Sequence, residues 1–150
     1  RPGHGIAEIR FDELGPGRYR ATLIRLPWGR VQLFEMTGES WRLEARTLHW
    51  HGLAAELGLK PAYRLERLES GPADGTAADR SYALASDEGM DVWTRARGSA
   101  GWSRYAEAAV AEVPWNPMKD GAEFRIVATP DGLVAQPSGT EIPVLPPPRG

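Results

Sequence analysis

Two histidines two residues apart, His49 and His51, form the most chemically suggestive spacing in this chain. Alternate residues of a strand point to one face, so the pair could present two imidazoles to zinc or to a hydrolytic centre. A zinc centre needs at least one further ligand, and spacing fixes no carboxylate beside them. His4 stands close to the N-terminus and adds little to the pair. No metal site and no cofactor are expected. Asp87, Glu88 and Asp91 form a second cluster. Paired carboxylates do acid–base work when burial separates their pKa values. At the start of a helix they more simply cap free backbone N–H groups and complement the dipole, and that is the role expected. Gly15-Pro16-Gly17 lacks the following Lys-Ser/Thr and the helix that phosphate binding needs. Ser40, Ser81 and Ser103 have no nucleophile-elbow context. No catalytic residue is assigned.

Tryptophan is the other unusual chemistry, with six at Trp28, Trp41, Trp50, Trp93, Trp102 and Trp115. Most are expected as core anchors, because an indole buries a large apolar area. Trp28 and Trp115 each follow a proline in a turn, where an indole can instead line an exposed groove. The candidate ligand- or partner-binding residues are therefore Trp28, Trp115, His49 and His51.

The elements that must carry these groups read mostly as strands. Ile9 and Phe11 alternate with polar neighbours up to the Gly15-Pro16-Gly17 turn. In Arg18–Leu26, Tyr19, Ala21 and Leu23 share one face. Val31–Met36 is a third strand. Ser40–His51 is the longest, with Trp41, Leu43 and Ala45 on one face. Beyond Thr47 the apolar face switches to Leu48 and Trp50, which suggests a bulge. Gly52–Leu59 reads as a short helix with Leu53, Ala54 and Leu57 on one side. Ala62–Leu68 is again extended, Ser70–Asp79 reads as a mobile surface loop, and Arg80–Ala85 as a strand. Asp87–Arg97 and Trp102–Ala109 follow helical spacing. Ala111–Trp115 and Ala122–Thr129 suggest a hairpin, followed by a last strand at Leu133–Gln136. The expected core includes Trp41, Leu43, Tyr63, Leu65, Trp93 and Phe124.

This pattern predicts a mainly β fold: an antiparallel sandwich or partly open barrel of about eight strands with two short helical inserts. A single β-rich domain is expected over 1–137, with a Pro-rich extended or disordered tail over 138–150.

The bulk composition narrows the function classes. A chain of 150 residues, 41% hydrophobic and 25% charged, is long enough to bury a core. A net charge of −2 lacks the basic excess of a nucleic-acid domain. The absence of cysteine excludes disulfides, a zinc ribbon and a thiol nucleophile. No run approaches the length of a spanning helix, and these residues give no expectation of a signal peptide. The chain opens on Arg1-Pro2-Gly3, which suggests a processed or excised fragment.

Four stretches carry a resemblance: GESWRLEARTLHWHG, LGLKPAYRLERL, GMDVWTRAR and PMKDGAEFRI. They resemble a family of uncharacterised proteobacterial proteins, often labelled cation/multidrug efflux pump or multidrug transporter. The matching positions are Trp41, Glu44-Ala45-Arg46, Trp50-His51-Gly52, Leu57-Gly58-Leu59 and Tyr63–Leu68. The resemblance runs from the Phe11 strand to the Leu133 strand. It implies a soluble domain that follows N-terminal membrane helices, and it supplies no catalytic residues.

The leading expectation is thus a non-enzymatic domain of the bacterial envelope, tethered to the inner membrane through segments absent from this chain. Its soluble part is expected in the periplasm, where it binds or scaffolds a partner. The partner is an unknown protein or a small apolar ligand; nucleic acid is not expected. A barrel that carries a small ligand or lipid is the alternative, decided by whether the interior is packed or hollow. A hydrolase using His49 and His51 is the second alternative.

Overall fold

The structure, a computed structural model, describes residues 4–27, 29–58, 61–84, 106–129 and 131–138. Trp28, the Asp87–Arg97 segment, Trp93, Trp102 and residues 139–150 lie outside the described residues. Within the described part the chain folds as β1 (His4–Gly15), β2 (Arg18–Arg25), β3 (Arg30–Thr37), β4 (Ser40–Trp50), α1 (Leu53–Glu56), β5 (Ala62–Gly71), β6 (Arg80–Ala83), β7 (Ala106–Pro117), β8 (Glu123–Thr129) and β9 (Gly132–Pro137).

Two antiparallel sheets result. Sheet A runs β3-β2-β1-β8-β9 and sheet B runs β6-β5-β4-β7. Each contains a three-strand meander and gains a later strand on the free side of the meander's first strand, β8 beside β1 and β7 beside β4. The chain crosses from sheet A to sheet B at Gly38-Glu39 and returns between β7 and β8. No closed barrel forms: the sheets pack as a sandwich. One seam is bridged by side chains, the Tyr82 hydroxyl donating to the Glu35 carbonyl and Arg25 Nη2 donating to the Leu84 carbonyl at 2.6 Å.

Period-two burial places the core as the sequence predicts. Ala21 and Leu23 of β2, and Trp41, Leu43 and Ala45 of β4, are fully buried. At the centre three rings meet: Phe11 to Trp41 at 5.4 Å, Trp41 to Phe124 at 5.3 Å and Phe11 to Phe124 at 6.4 Å between centroids. Leu65 is buried, while Tyr63 and Phe124 are partly buried and packed against the same core. On β3 the inward face is Phe34 and Met36; Val31 and Leu33 face solvent.

The structure corrects several local expectations. Residues 106–109 are strand, not helix. Their Ala/Glu composition favours helix, but pairing with Thr47–Trp50 of β4 overrides that preference. β7 and β8 are not a hairpin, because they lie in different sheets and Met118 buries its side chain where the chain crosses. Helix α1 buries only Ala54, leaving Leu53 and Leu57 exposed. In β4 the irregularities lie earlier than predicted, opposite an extra residue in β5 between Glu44 and Ala45 and opposite another in β7 between Trp41 and Leu43. Leu48 is fully buried apart from the main cluster, in keeping with the predicted switch of face.

Candidate functional site

The second of these irregularities builds the site. Trp41 pairs with Asn116 and Leu43 with Val113, so two residues of β7, Pro114 and Trp115, stand opposite the single Arg42 of β4. The extra residue frees Pro114-Trp115 from strict alternation. Trp115 ends half-buried beside Arg42, whose guanidinium lies 5.3 Å from the ring centroid. Arg42 is itself held by ion pairs to Glu69 and to Glu112, the latter at 3.5 Å. Such a stacked cation is worth about 0.5–1 kcal/mol at a partly exposed position.

The loop between β5 and β6 closes over the same indole. Gly75 has φ +67°, and a Cβ added there would stand 2.9 Å from Trp115 Cδ1 and Cγ. The loop backbone therefore rests on the ring and admits no side chain at that point. Other contacts hold the loop in place: Asp79 N donates to Ser70 O at 2.6 Å, Gly75 N to Pro72 O at 3.0 Å, and Ser40 Oγ to Pro72 O at 2.6 Å. The surface loop expected at Ser70–Asp79 begins at Pro72, since Ser70 and Gly71 are buried members of β5, and hydrogen bonds close both of its ends. Gly38, at φ +111°, lets the sheet-to-sheet crossing press against the Gly71 carbonyl, where a Cβ would collide.

Between this loop, the Gly38-Glu39 turn and the β7–β8 crossing lies a cleft of about 270 Å3. Its floor contains the buried Ser40 and Met118; its walls are Tyr19, Glu39, Ala73, Trp115, Asn116, Pro117 and Lys119. Burial pushes the Tyr19 phenol pKa up, and the charges of Glu13, Glu39 and Asp120 push it further. The cleft thus joins apolar surface from Trp115, Pro117 and Met118 to a protonated phenol and one charge of each sign, Glu39 and Lys119. Asp120 Oδ1 accepts the Glu13 N–H at 2.8 Å, which fixes that carboxylate beside the end of β1. A second, smaller depression of about 110 Å3 lies on the outer face of sheet A, between the Arg10–Glu123 ion pair and Ile24.

Of the three singled-out residues that are described, Trp115, His49 and His51, Trp115 alone lines a cleft. His49 is half-buried on β4 and pairs in register with Glu107 of β7; His51 is exposed beyond the end of that strand. The two imidazoles therefore do not share one strand face. They stand nine residues or more from Ser40, about 30 Å along the strand, at the opposite end of the sheet from Trp115. No group of three His, Cys, Asp or Glu able to hold a metal occurs among the described residues. Trp28 lies outside them.

Tyr19, Glu39, Asn116 and Lys119 carry no motif. They come together because β2, the β3–β4 turn and the β7–β8 crossing meet at one end of the sandwich, and only the sheet topology reveals that. Compared with family models, curated proteins and solved structures, the chain matched none.

Proposed function

We propose that this chain is a non-enzymatic binding domain, and that the cleft at Trp115 is where it holds its partner. The observation that carries the reading is the contrast between a filled interior and a shaped end. Phe11, Trp41 and Phe124 occupy the space between the sheets that a carried lipid would need. At the end, tightly placed glycines and a strand bulge hold an aromatic and polar cleft open. Rigid elements presenting such a concavity suit recognition, whereas general acid–base or nucleophilic chemistry needs groups within hydrogen-bond reach of one another. Tethering to the bacterial inner membrane with a periplasmic domain is part of the proposal, and it rests on the family resemblance alone. No helix among the described residues is long and apolar enough to cross a membrane.

The reading is tested by a photo-crosslinking amino acid placed at Asn116 and, as a control, at the exposed Val110 in living cells. A single adduct of constant identity from Asn116, absent at Val110, is expected. Equal labelling at both positions, or none at Asn116, overturns it. Membrane fractionation and protease access on the native full-length protein test the tether separately.

A further inference from the structure

We infer that this chain associates with a second copy of itself through the free edge of β3, so that sheet A continues across a two-fold axis. The edge shares no residue with the cleft wall, so the inference stands apart from the reading of the cleft. β3 ends the strand order of sheet A, with β2 on its other side. The Glu35 carbonyl accepts the Tyr82 hydroxyl of sheet B and so turns away from β2. Backbone groups of alternate residues in a strand point the same way, so those of Leu33 and Val31 also face the open edge. Their side chains lie on the outer face beside Thr22 and Ile24 of β2, and the two residues are 62% and 54% exposed.

An unpaired edge that carries apolar side chains is a template for another strand, and most sheets blunt it with short strands, prolines or bulges. Among the described residues the other edges are blunted in these ways. β6 has 4 residues, β9 ends at Pro137, and β7 carries Pro114, Pro117 and the bulge opposite Arg42. β3 holds no proline and keeps an unbroken register with β2 from Arg30 to Thr37. It exposes two large apolar side chains, where β7 exposes only Val110 and β9 only Val134.

A second copy is the occupant because this edge complements itself. An antiparallel two-fold centred on Gln32 sets Val31 of each copy opposite Leu33 of the other, and each such pair exchanges both of its backbone bonds. The valines and leucines then meet on one outer face. This register ends at Phe34 and leaves the Glu35 carbonyl to Tyr82. A two-fold centred on Leu33 sets Val31 against Glu35 and competes for that carbonyl. Charge agrees with the antiparallel order. Val31–Phe34 carries none, and each Arg30 comes next to the other copy's Glu35, whereas a parallel order sets like beside like. Glu35 keeps its own ion pair to Arg18 of β2, at 3.3 Å. The paired span Arg30–Phe34 is smaller than the about 800 Å2 per partner of a standard interface, so the association is weak and concentration-dependent.

Sedimentation equilibrium of the full chain tests the association. Dimer should grow between about 10 μM and 1 mM, the range of a weak contact. Leu33→Lys places a charge on the edge and should leave monomer throughout, while Val134→Lys on β9 should behave as the parent. Both positions are exposed, so the fold tolerates either change. The absence of cysteine allows a test of register. Val31→Cys and Leu33→Cys proteins, mixed and mildly oxidised, should give the mixed disulfide about tenfold over either symmetric one, since only that pair is held at bonding distance. Monomer at every concentration, a dimer that survives Leu33→Lys, or symmetric disulfides equal to the mixed one overturns the inference. The Asn116 photo-adduct is unaffected by any of these results, so the two readings fail separately.

Discussion

Trp41 and Trp115 are near neighbours in the fold with opposite surroundings. They lie on adjacent strands, and Trp41 is in register with Asn116, the residue after Trp115. Trp41 is fully buried between two phenylalanine rings. Trp115 is half-buried, packed under a glycine loop and a guanidinium, with part of the indole in the cleft wall. The same side chain serves as core in one position and as scaffold for a surface site in the other. What separates them is one extra residue in β7. A bulge that frees a side chain from alternation can thus convert a core anchor into a binding element without any change in composition.

The comparison is sharpest in stability. Trp41→Ala should cost about 3–5 kcal/mol, the range for removing a large buried aromatic. Chemical denaturation reads this directly. A loss under about a fifth of that range would place Trp41 outside the core and end the comparison.

Trp115→Ala should cost less, about 1–3 kcal/mol, since only part of the ring is buried and the cation–π contact is modest. Its distinguishing signature is local: hydrogen exchange should quicken in residues 72–79 and stay unchanged in β4 and β8. Gly75→Ala should reproduce that signature at about 1–2 kcal/mol, because it forces a left-handed alanine against the indole. If Trp115→Ala instead costs as much as Trp41→Ala and leaves the loop protected, Trp115 is simply a second core residue.

How far these differences could be read in advance depends on the interaction that fixes each one. Trp41, Leu43 and Leu65 were legible as core because period-two burial is a local signal along each strand. The Gly15-Pro16-Gly17 turn was legible for the same reason, and Trp115 stood out through its proline neighbour. The helix expected across 106–109 failed because alanine and glutamate report local propensity, while pairing with β4 is a contact between distant segments. The loop expected from Ser70 begins two residues later, because Ser70 and Gly71 extend β5 through pairing with Trp41 and Ser40 of β4, a contact between distant segments. The His49/His51 spacing promised one shared face, but β4 ends at Trp50 and His51 falls outside the alternation. The cleft itself joins three chain segments, and none of them carries the information alone.

Alkaline pH should separate the two regions further. The Tyr19 phenol has a folded pKa above its ordinary value of about 10, so the fold favours the neutral form. The stability it contributes is fully present below about pH 10 and is lost as pH rises through the folded value. Tyr63, raised by burial alone, adds to the same loss. Tyr19→Phe should therefore flatten the decline in stability above about pH 10 without abolishing it, and Glu39→Gln should flatten it less. An unchanged profile in Tyr19→Phe would mean that neither burial nor the neighbouring carboxylates raise the phenol on folding.

The smallest effects come from two serines that mirror the two tryptophans. Ser70 is paired in register with Trp41; its Oγ and the Trp41 Nε1 are both buried and have no hydrogen-bond partner. Ser40 lies on the cleft floor, and its Oγ donates towards the Pro72 carbonyl at 2.6 Å and the Gly71 carbonyl at 3.3 Å. Ser40→Ala removes a made bond and leaves buried carbonyls less satisfied, so it should cost about 1–2 kcal/mol and loosen the loop. Ser70→Ala removes a hydroxyl that makes no protein bond, so it should be neutral or stabilising within about 1 kcal/mol. Parallel denaturation curves decide between them. If Ser70→Ala proves the costlier change, a buried water bridges Ser70 and Trp41, and the centre of the sandwich is polar where it looks dry. The core and the cleft would then differ in depth but not in kind.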